Sequence, residues 1–188
     1  MSQKKAPRAL VPLAEGFEEI EATAIVDVLR RGGVEVVLAG LEAGPVRGAH
    51  GIALATDAEL GDLDPLDFDL IALPGGMPGT KHLMQDERVL DAVRQLHEKG
   101  RITAAVCAAP MVLERAGILD GVAVTSHPSV RSDLGSAVVR DAPRVIRSGK
   151  IVTSQGPGTA IEFALELVRE LCGAERAAQL AQAMLVRA

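Results

Sequence analysis

The stretch Arg101-Ile-Thr-Ala-Ala-Val-Cys-Ala-Ala-Pro-Met-Val-Leu-Glu-Arg115 decides the fold and the candidate chemistry of this chain. Residues 101–106 are rich in Ile, Val and Ala and predict a short buried strand, and residues 108–115 predict a helix that follows without a loop. Cys107 therefore falls on a tight strand-to-helix turn, which exposes a side chain at the carboxyl edge of a sheet. The start of a helix favours a thiolate over a thiol, so this position predicts a nucleophile. The alternative interpretation is a small buried core residue.

The alternation of strand and helix continues along all 188 residues and is typical of an α/β fold around a mostly parallel sheet. Predicted strands cover residues 8–13, 34–39, 69–73, 101–106, 122–125, 137–140, 145–146 and 151–154. Predicted helices cover residues 18–31, 86–99, 108–115, 159–171 and 174–186, and the helix over 159–171 is expected to face the core with Ile161, Ala164, Leu165 and Val168. Residues 46–55 predict a short antiparallel excursion. Because the chain has no repeats or linkers, we expect one domain over residues 1–188.

The amino-acid composition indicates the kind of core, the cellular compartment and the classes of partner that are to be expected. Hydrophobic residues make up 48% of the chain and aromatic residues only 2%, which predicts a core of aliphatic side chains. Cys107 and Cys172 have no paired spacing, so we expect two reduced thiols and a cytoplasmic protein, with Cys172 an ordinary half-buried residue. The net charge of -5 without a basic cluster argues against nucleic acid and acidic membranes as partners. No apolar stretch near the start is long enough for a signal peptide or a membrane span.

Ligands of open α/β sheets bind beyond the carboxyl ends of the strands, so loops at that edge are expected to meet Cys107. The loop after the first strand, Glu15-Gly-Phe-Glu-Glu-Ile-Glu21, crowds four carboxylates at a helix start. Interaction with the helix dipole accounts well for Glu18 and Glu19, and less completely for Glu21, which lies about one turn into the helix. The residues alone leave the choice among these three open. A carboxyl held against a thiolate would have a raised pKa and act as a proton donor.

Two further loops carry suitable groups. The glycines of Pro74-Gly75-Gly76 let backbone N–H groups approach a ligand closely, as in an oxyanion hole, although a plain turn explains them as well. His127 follows another predicted strand and could accept the proton of Cys107 or stabilise its thiolate, and a hydrogen-bonded histidine without a catalytic role is the alternative. The histidines lack metal-ligand spacing, and the glycines match neither a phosphate loop nor a dinucleotide fingerprint. We therefore expect no metal and no cofactor.

Four motifs, in this order, resemble the ThiJ/PfpI superfamily, and most closely the bacterial members of its DJ-1 branch. They are Ala9-Leu-Val-Pro-Leu-Ala-Glu-Gly-Phe-Glu-Glu-Ile-Glu21, Leu73-Pro-Gly-Gly76, Ala105-Val-Cys-Ala-Ala-Pro110 and Thr153-Ser-Gln-Gly-Pro-Gly-Thr159. The resemblance covers nearly the whole chain. It implies a flavodoxin-like three-layer sandwich and a homodimer.

The resemblance also implies a site around Cys107. Glu21 would hydrogen-bond the cysteine, which settles the choice among the glutamates. The backbone amides of Gly76 and Ala108, with Gly75 beside them, would face an oxyanion.

Three positions depart from the pattern of the superfamily. Its protease-like members carry a histidine directly after the cysteine, and Ala108 at this position argues against a peptidase. His127 matches a histidine that only part of the branch has, so it is expected to help rather than to be required. His50 aligns, after a gap, with an arginine that is common near the dimer interface.

The function implied by the resemblance is that of a cofactor-independent cysteine enzyme of glyoxalase or deglycase type. Cys107 as a thiolate would attack a reactive dicarbonyl such as methylglyoxal, or an early glycation adduct of a protein, and form a hemithioacetal. Glu21 would then move protons so that methylglyoxal yields lactate. The alternative is a redox sensor or an oxidation-activated chaperone of the stress response, because an accessible thiol of low pKa oxidises readily. A third hypothesis, a dimer subunit with a vestigial site, predicts an inert Cys107.

Overall fold

Strands and helices alternate along residues 5–186, the part of the chain that the computed structural model describes. The strands are β1 (Arg8–Leu13), β2 (Glu35–Gly40), β3 (Val46–Arg47), β4 (Ala53–Leu54), β5 (Ala58–Glu59), β6 (Leu70–Leu73), β7 (Ile102–Val106), β8 (Ala123–Val124), β9 (Val138–Val139), β10 (Val145–Ser148) and β11 (Ile151–Ser154). The helices are α1 (Glu19–Gly32), α2 (Gly79–Gln85), α3 (Glu87–Glu98), α4 (Pro110–Arg115), α5 (Ala160–Cys172) and α6 (Ala174–Ala183).

Seven of these strands form one sheet in the order β10-β11-β7-β6-β1-β2-β5. Neighbours in it are parallel except for β10 and β11, which pair antiparallel at one edge. The chain passes from β1 to β2 in one direction and from β6 to β7 in the other. Because crossovers between parallel strands are right-handed, this reversal places the connecting helices on opposite faces of the sheet. It also creates a switch point between β1 and β6, where sheets of this kind bind ligands.

Two apolar cores cover the two faces of the sheet, because successive side chains of a strand point to opposite faces. In β1, Ala9, Val11 and Leu13 pack with α1, α5 and α6, whereas Leu10 packs with α3 and α4. The central strands β6 and β7 are buried along their whole length, which explains their continuous apolar sequence. The predicted α/β sandwich of three layers around a mostly parallel sheet is confirmed.

Most element ends agree with the sequence prediction to within two residues, and the predicted antiparallel excursion is the pairing of β3 with β4. The sequence does not predict α2, because Pro78 and Gly79 at its start signal a turn and seven residues are too few for an apolar period. The prediction of a helix directly after Cys107 is wrong by two residues. Residues 107–109 form a turn, and α4 begins at Pro110, whose fixed φ suits the first position of a helix.

The predicted inner face of α5 is wrong at two positions. Ile161 is 42% exposed and Leu165 is only partly buried, whereas Phe163 and Leu167 are fully buried. The predicted and the observed set of core residues both repeat every three to four residues, so periodicity alone does not decide between them. The packing of α5 against α1 decides it.

The limits of the described structure bear on three expectations. None of the helices within residues 5–186 is long and apolar enough to cross a membrane. The predicted single domain includes residues 1–4 and 187–188, which lie outside the described residues, and it stays a prediction. The expectation that the N-terminal segment is not a signal peptide also falls partly on residues outside the described range.

Leu167→Ala and Leu165→Ala make the same substitution at a buried and at a partly exposed position of α5, so together they test which face of the helix is buried. Leu167→Ala is expected to lower the free energy of unfolding by about 2–5 kcal/mol, because it leaves a cavity in a close-packed core. Leu165→Ala removes a partly exposed side chain and should cost less than half as much. Urea unfolding followed by circular dichroism measures both values, and equal losses would contradict the observed helix face.

Candidate active site

Cys107 lies on a strained turn directly after β7. Its φ of 62° falls in the left-handed region, which residues other than glycine adopt only where the surrounding structure holds them. Its main-chain N–H donates to the carbonyl of Ser154 at the end of β11 (3.0 Å), and its own carbonyl accepts the N–H of His127 (2.9 Å). The predicted elbow is therefore present, and its thiol is partly exposed.

Glu21 is fully buried in the first turn of α1 and contacts the Cys107 thiol. Its Oε2 accepts the N–H of Gly75 at 2.7 Å. Its Oε1 is buried and has no partner of good hydrogen-bond geometry within residues 5–186. The thiol and the carboxyl lie close enough for each to shift the pKa of the other.

Gly75 and Gly76 allow the main chain to approach both groups. A Cβ on Gly75 would lie 2.7 Å from Cβ of Cys107 and 2.9 Å from Oε2 of Glu21. Gly76 has a φ of 94°, which favours glycine, and its amide and that of Ala108 act on the Cys107 thiol and lower its pKa. The residues predicted as oxyanion donors are thus brought together with the cysteine, and a side chain at residue 75 would fill the space between the Cys107 thiol and the Glu21 carboxyl.

Burial and Glu21 together determine the protonation of the thiol. Burial contributes most, and with the Glu21 carboxylate it raises the pKa of Cys107 to about 12, against the opposing effect of the Ala108 and Gly76 amides. Burial also raises the pKa of Glu21 to about 7, and the charge of Glu18 adds to this effect. The expectation that the following helix favours a thiolate is therefore wrong while Glu21 is ionised. A neutral Glu21 removes this repulsion, so a thiolate is less disfavoured when Glu21 is protonated.

His127 is attached to the elbow by its main chain rather than by its imidazole. Beyond its N–H bond to Cys107, its Nδ1 lies 2.8 Å from Oγ of Ser129 and 3.3 Å from the Ser129 N–H. Within residues 5–186, the ring makes no hydrogen bond to Cys107. The structure thus places His127 at the edge of the site without a contact that identifies its role.

Glu19 has a function that the sequence analysis missed. Its carboxylate accepts the His50 N–H at 2.6 Å and the Ile52 N–H at 3.4 Å, and Oε2 lies 2.9 Å from Nδ1 of His50. Burial opposes its ionisation, but these hydrogen bonds outweigh burial and lower the pKa of Glu19. The interpretation of Glu19 as a mere complement to the helix dipole is incomplete. No sequence signal indicates this contact, because 31 residues separate Glu19 from His50.

Among residues 5–186, one group of side chains lies close enough together to hold a metal ion. Ligand atoms of Glu18, Glu19 and His50 lie within 4.8 Å of one another. The Glu19 carboxylate already accepts the main-chain N–H groups of His50 and Ile52 and lies 2.9 Å from the His50 imidazole, so Glu19 anchors that loop. The prediction of no metal stays a prediction.

Two cavities lie at opposite edges of the sheet. One of about 380 Å³ borders Leu13 and Glu15, in the loop that leads into α1. The other, of about 500 Å³, borders Ile102 and Cys172 at the amino edge, so β7 separates it from Cys107. Burial raises the pKa of Cys172. This setting agrees with the interpretation of Cys172 as an ordinary half-buried residue.

Comparison with known proteins decides the family. Residues 7–170 match the model of the DJ-1/PfpI family. This chain belongs to the DJ-1/PfpI family. The resemblance inferred from the four motifs is confirmed, and the closer relation to bacterial members stays a prediction.

Individual relatives match nearly the whole chain. Protein DJ-1alpha of Drosophila melanogaster is 42% identical over 185 residues, which are 97% of this chain and 85% of that protein. A Caenorhabditis elegans protein named glutathione-independent glyoxalase DJR-1.2 is 37% identical over 179 residues, which are 94% of each chain. The crystal structure of Drosophila melanogaster DJ-1beta has a TM-score of 0.94 at 38% identity, and the match covers 98% of this chain and 100% of that one. The fold of this chain is therefore that of DJ-1 proteins.

Gly75→Ala is expected to lower the rate at which iodoacetamide alkylates Cys107 by about tenfold or more, because the new methyl group displaces the thiol and the Glu21 carboxyl. Gly135→Ala is the control, because a Cβ at residue 135 meets open space. Mass spectrometry of the alkylated peptide measures the rate. Equal alkylation rates in Gly75→Ala and in the control would contradict the close approach of residue 75 to Cys107 and Glu21.

Proposed function

We propose that this protein is a cofactor-independent cysteine enzyme that converts 2-oxoaldehydes such as methylglyoxal into 2-hydroxy acids, or acts in the same way on early glycation adducts of proteins. The observation that carries the proposal is the contact between the Cys107 thiol and the buried Glu21 carboxyl, beside the amides of Gly76 and Ala108. The reaction needs a sulfur nucleophile, a proton carrier with a pKa near neutrality and oxyanion donors. This pair and the two amides supply them.

The first step joins the substrate to the sulfur. The Cys107 proton passes to Glu21, and the sulfur forms a bond to the aldehyde carbon. The N–H groups of Gly76 and Ala108 stabilise the negative charge that develops on the aldehyde oxygen. Glu21 then returns the proton to this oxygen, which gives a hemithioacetal and leaves Glu21 ionised.

The second stage moves hydrogen within the substrate. The ionised Glu21 removes the proton from the former aldehyde carbon and delivers it to the neighbouring carbonyl carbon, while the hydroxyl proton passes to the neighbouring oxygen. The first carbon is thereby oxidised to a thioester and the second is reduced to an alcohol. Water cleaves the thioester and releases lactate and the free Cys107 thiol. Methylglyoxal plus water gives lactate, so the reaction needs no external oxidant, reductant or cofactor.

Further observations support this type of chemistry. The relative from Caenorhabditis elegans is named a glutathione-independent glyoxalase. Cys107 and Cys172 are free thiols, which agrees with the proposed cytoplasmic location. His127, which binds the Cys107 carbonyl, is proposed to help by holding the turn in place.

The alternative function, a redox sensor or an oxidation-activated chaperone, uses the same two residues. Oxidation of Cys107 to a sulfinate would place negatively charged oxygens beside Glu21. The neutral form of Glu21 could donate a hydrogen bond to one of them, and its Oε1 has no well-aligned partner among the described residues. The two functions differ in whether Glu21 must move protons.

The pure protein is expected to produce lactate from methylglyoxal without glutathione or added metal. Cys107→Ser should abolish production, and Glu21→Gln should lower it by about 10²- to 10⁴-fold, because a proton carrier is lost. Cys172→Ser is the matched control and should retain the wild-type rate.

Absence of lactate with the wild-type protein would favour the redox or chaperone function. Turnover that survives Glu21→Gln would remove Glu21 from its assigned role. In that variant Cys107 should still oxidise, which peptide mass spectrometry after peroxide treatment would detect.

We also propose a homodimer, formed through a surface next to this site. Ile20 and Ile52 are each 58% exposed; Ile20 follows Glu19 in the chain, and the Ile52 N–H donates to the Glu19 carboxylate. Large apolar side chains at this exposure favour burial against another surface. A second copy of the chain is the proposed partner, in line with the position of His50 in the family resemblance.

Ile20→Glu and Ile52→Glu are expected to convert a dimer into a monomer of 19.6 kDa in sedimentation experiments, because each buries a charge in an apolar interface. Ile161→Glu, which changes an exposed isoleucine of α5, is the control and should remain dimeric. A monomeric wild-type protein, or dimers that withstand both substitutions, would contradict this surface.

A further inference from the structure

Glu18 closes a ring of three hydrogen bonds at the start of α1. Its main-chain N–H donates to the Gly75 carbonyl at 2.9 Å, and the Gly75 N–H donates to Oε2 of Glu21 at 2.7 Å. The N–H of Glu21 donates to Oε2 of Glu18 at 2.7 Å. Both glutamates are buried, with exposed fractions of 8% for Glu18 and 0% for Glu21. The Glu21 carboxyl therefore cannot move away from Cys107 without breaking a buried hydrogen bond.

Helix capping alone does not account for a glutamate at position 18. Ser, Thr, Asp and Asn are the usual residues at an N-cap, because their short side chains reach the free N–H groups of the first turn. Glu18 fills this position and adds a second carboxylate beside the buried Glu21, an arrangement that like charges disfavour. An uncharged cap would serve the helix without this repulsion. The charge at position 18 therefore indicates a separate function.

We propose that Glu18 is the positioning residue of the Cys107–Glu21 pair, and that its ring of hydrogen bonds and its negative charge together decide which member of the pair holds the proton. The inference rests on the proposed function only in taking this pair as the reactive one. Glu18 does not touch the sulfur in this arrangement, so it acts through Glu21.

The direction of the effect follows from the charges around Glu21. Burial is the largest cause of its raised pKa, and the Glu18 carboxylate acts in the same direction. Within the described part of the chain, the other titratable group that acts on Glu21 is Cys107, whereas Glu19 faces His50. Helices α5 and α6, which also pack against α1, contribute no charged group to the surroundings of Glu21 within residues 5–186. Loss of the Glu18 charge is therefore expected to lower the pKa of Glu21. The proton then resides more often on the Cys107 sulfur.

The pH dependence of Cys107 alkylation reports this proton directly. Iodoacetamide reacts with the thiolate, and Cys172→Ser removes the second thiol. Because the chain has no Trp or Tyr, the ultraviolet absorbance of the thiolate gives an independent titration without interference from those side chains. Neither readout involves a dicarbonyl.

Glu18→Gln in the Cys172→Ser background is expected to change the profile in three ways. The midpoint of its acid limb should move to lower pH by about 0.5 to 1 unit, because Glu21 ionises more easily. The rate on the neutral plateau should fall about 3- to 10-fold. This rate is proportional to the population of thiolate with neutral Glu21, which falls by the same factor as the acid dissociation constant of Glu21 rises. The rate well below the midpoint should stay unchanged, because Glu21 is protonated there in both proteins. A purely structural role would lower the rate at every pH and leave the midpoint in place.

Two sets of variants control for charge and for capping. Glu19→Gln removes the neighbouring carboxylate, which faces His50, and should leave the midpoint unchanged. Glu18→Asp and Glu18→Asn both retain a good N-cap and differ only in charge. The midpoint should stay near that of the wild type with Asp and move down with Asn, and this pair decides the question if Glu18→Gln fails to fold.

Equal midpoints for the charged and the uncharged residue at position 18 would overturn the inference. A shift of the midpoint in a protein that yields no lactate from methylglyoxal would support the role of Glu18 and contradict the proposed function. The two proposals therefore fail separately.

Discussion

A buried carboxyl beside a partly buried thiol is the constraint on which the rest of this structure depends. Burial and mutual repulsion raise the pKa of both Glu21 and Cys107, so the two groups do not ionise together near neutral pH. N–H groups offset part of the cost of burial: that of Gly75 donates to the carboxyl, and those of Gly76 and Ala108 lower the pKa of the thiol. Each of these donors needs a main chain that approaches closely, which explains the glycines and the strained backbone of the cysteine.

The sheet brings these groups together from distant parts of the chain. Strands β11, β7, β6 and β1 are neighbours in that order, so the loops after them lie along one edge. Ser154 at the end of β11 holds the N–H of Cys107, the loop after β6 provides Gly75, and the loop after β1 leads to Glu21. The reversal of strand order between β1 and β6 opens the edge at this point, so the fold and the position of the site have one cause.

The first turn of α1 serves several surfaces at once. Successive residues of a helix point about 100° apart, so neighbours in sequence face different surroundings. Glu18 closes the ring with Gly75, Glu19 anchors the loop at His50, Ile20 faces solvent, and Glu21 meets Cys107. This divergence links the reactive pair to the proposed dimer surface through a single turn. It also explains why three glutamates within four positions have separate tasks.

The sequence by itself determined the alternation of strands and helices, the buried central strands and the elbow at Cys107, because apolar periodicity and turn residues act between near neighbours. It placed the glycines at residues 75 and 76 at the right edge, but the choice of Glu21 came from family resemblance rather than from spacing. Tertiary structure alone decided the inner face of α5, the contact of Glu19 with His50 and the raised pKa of Cys107. Burial and through-space charge depend on residues far apart in the chain, and no local pattern records them.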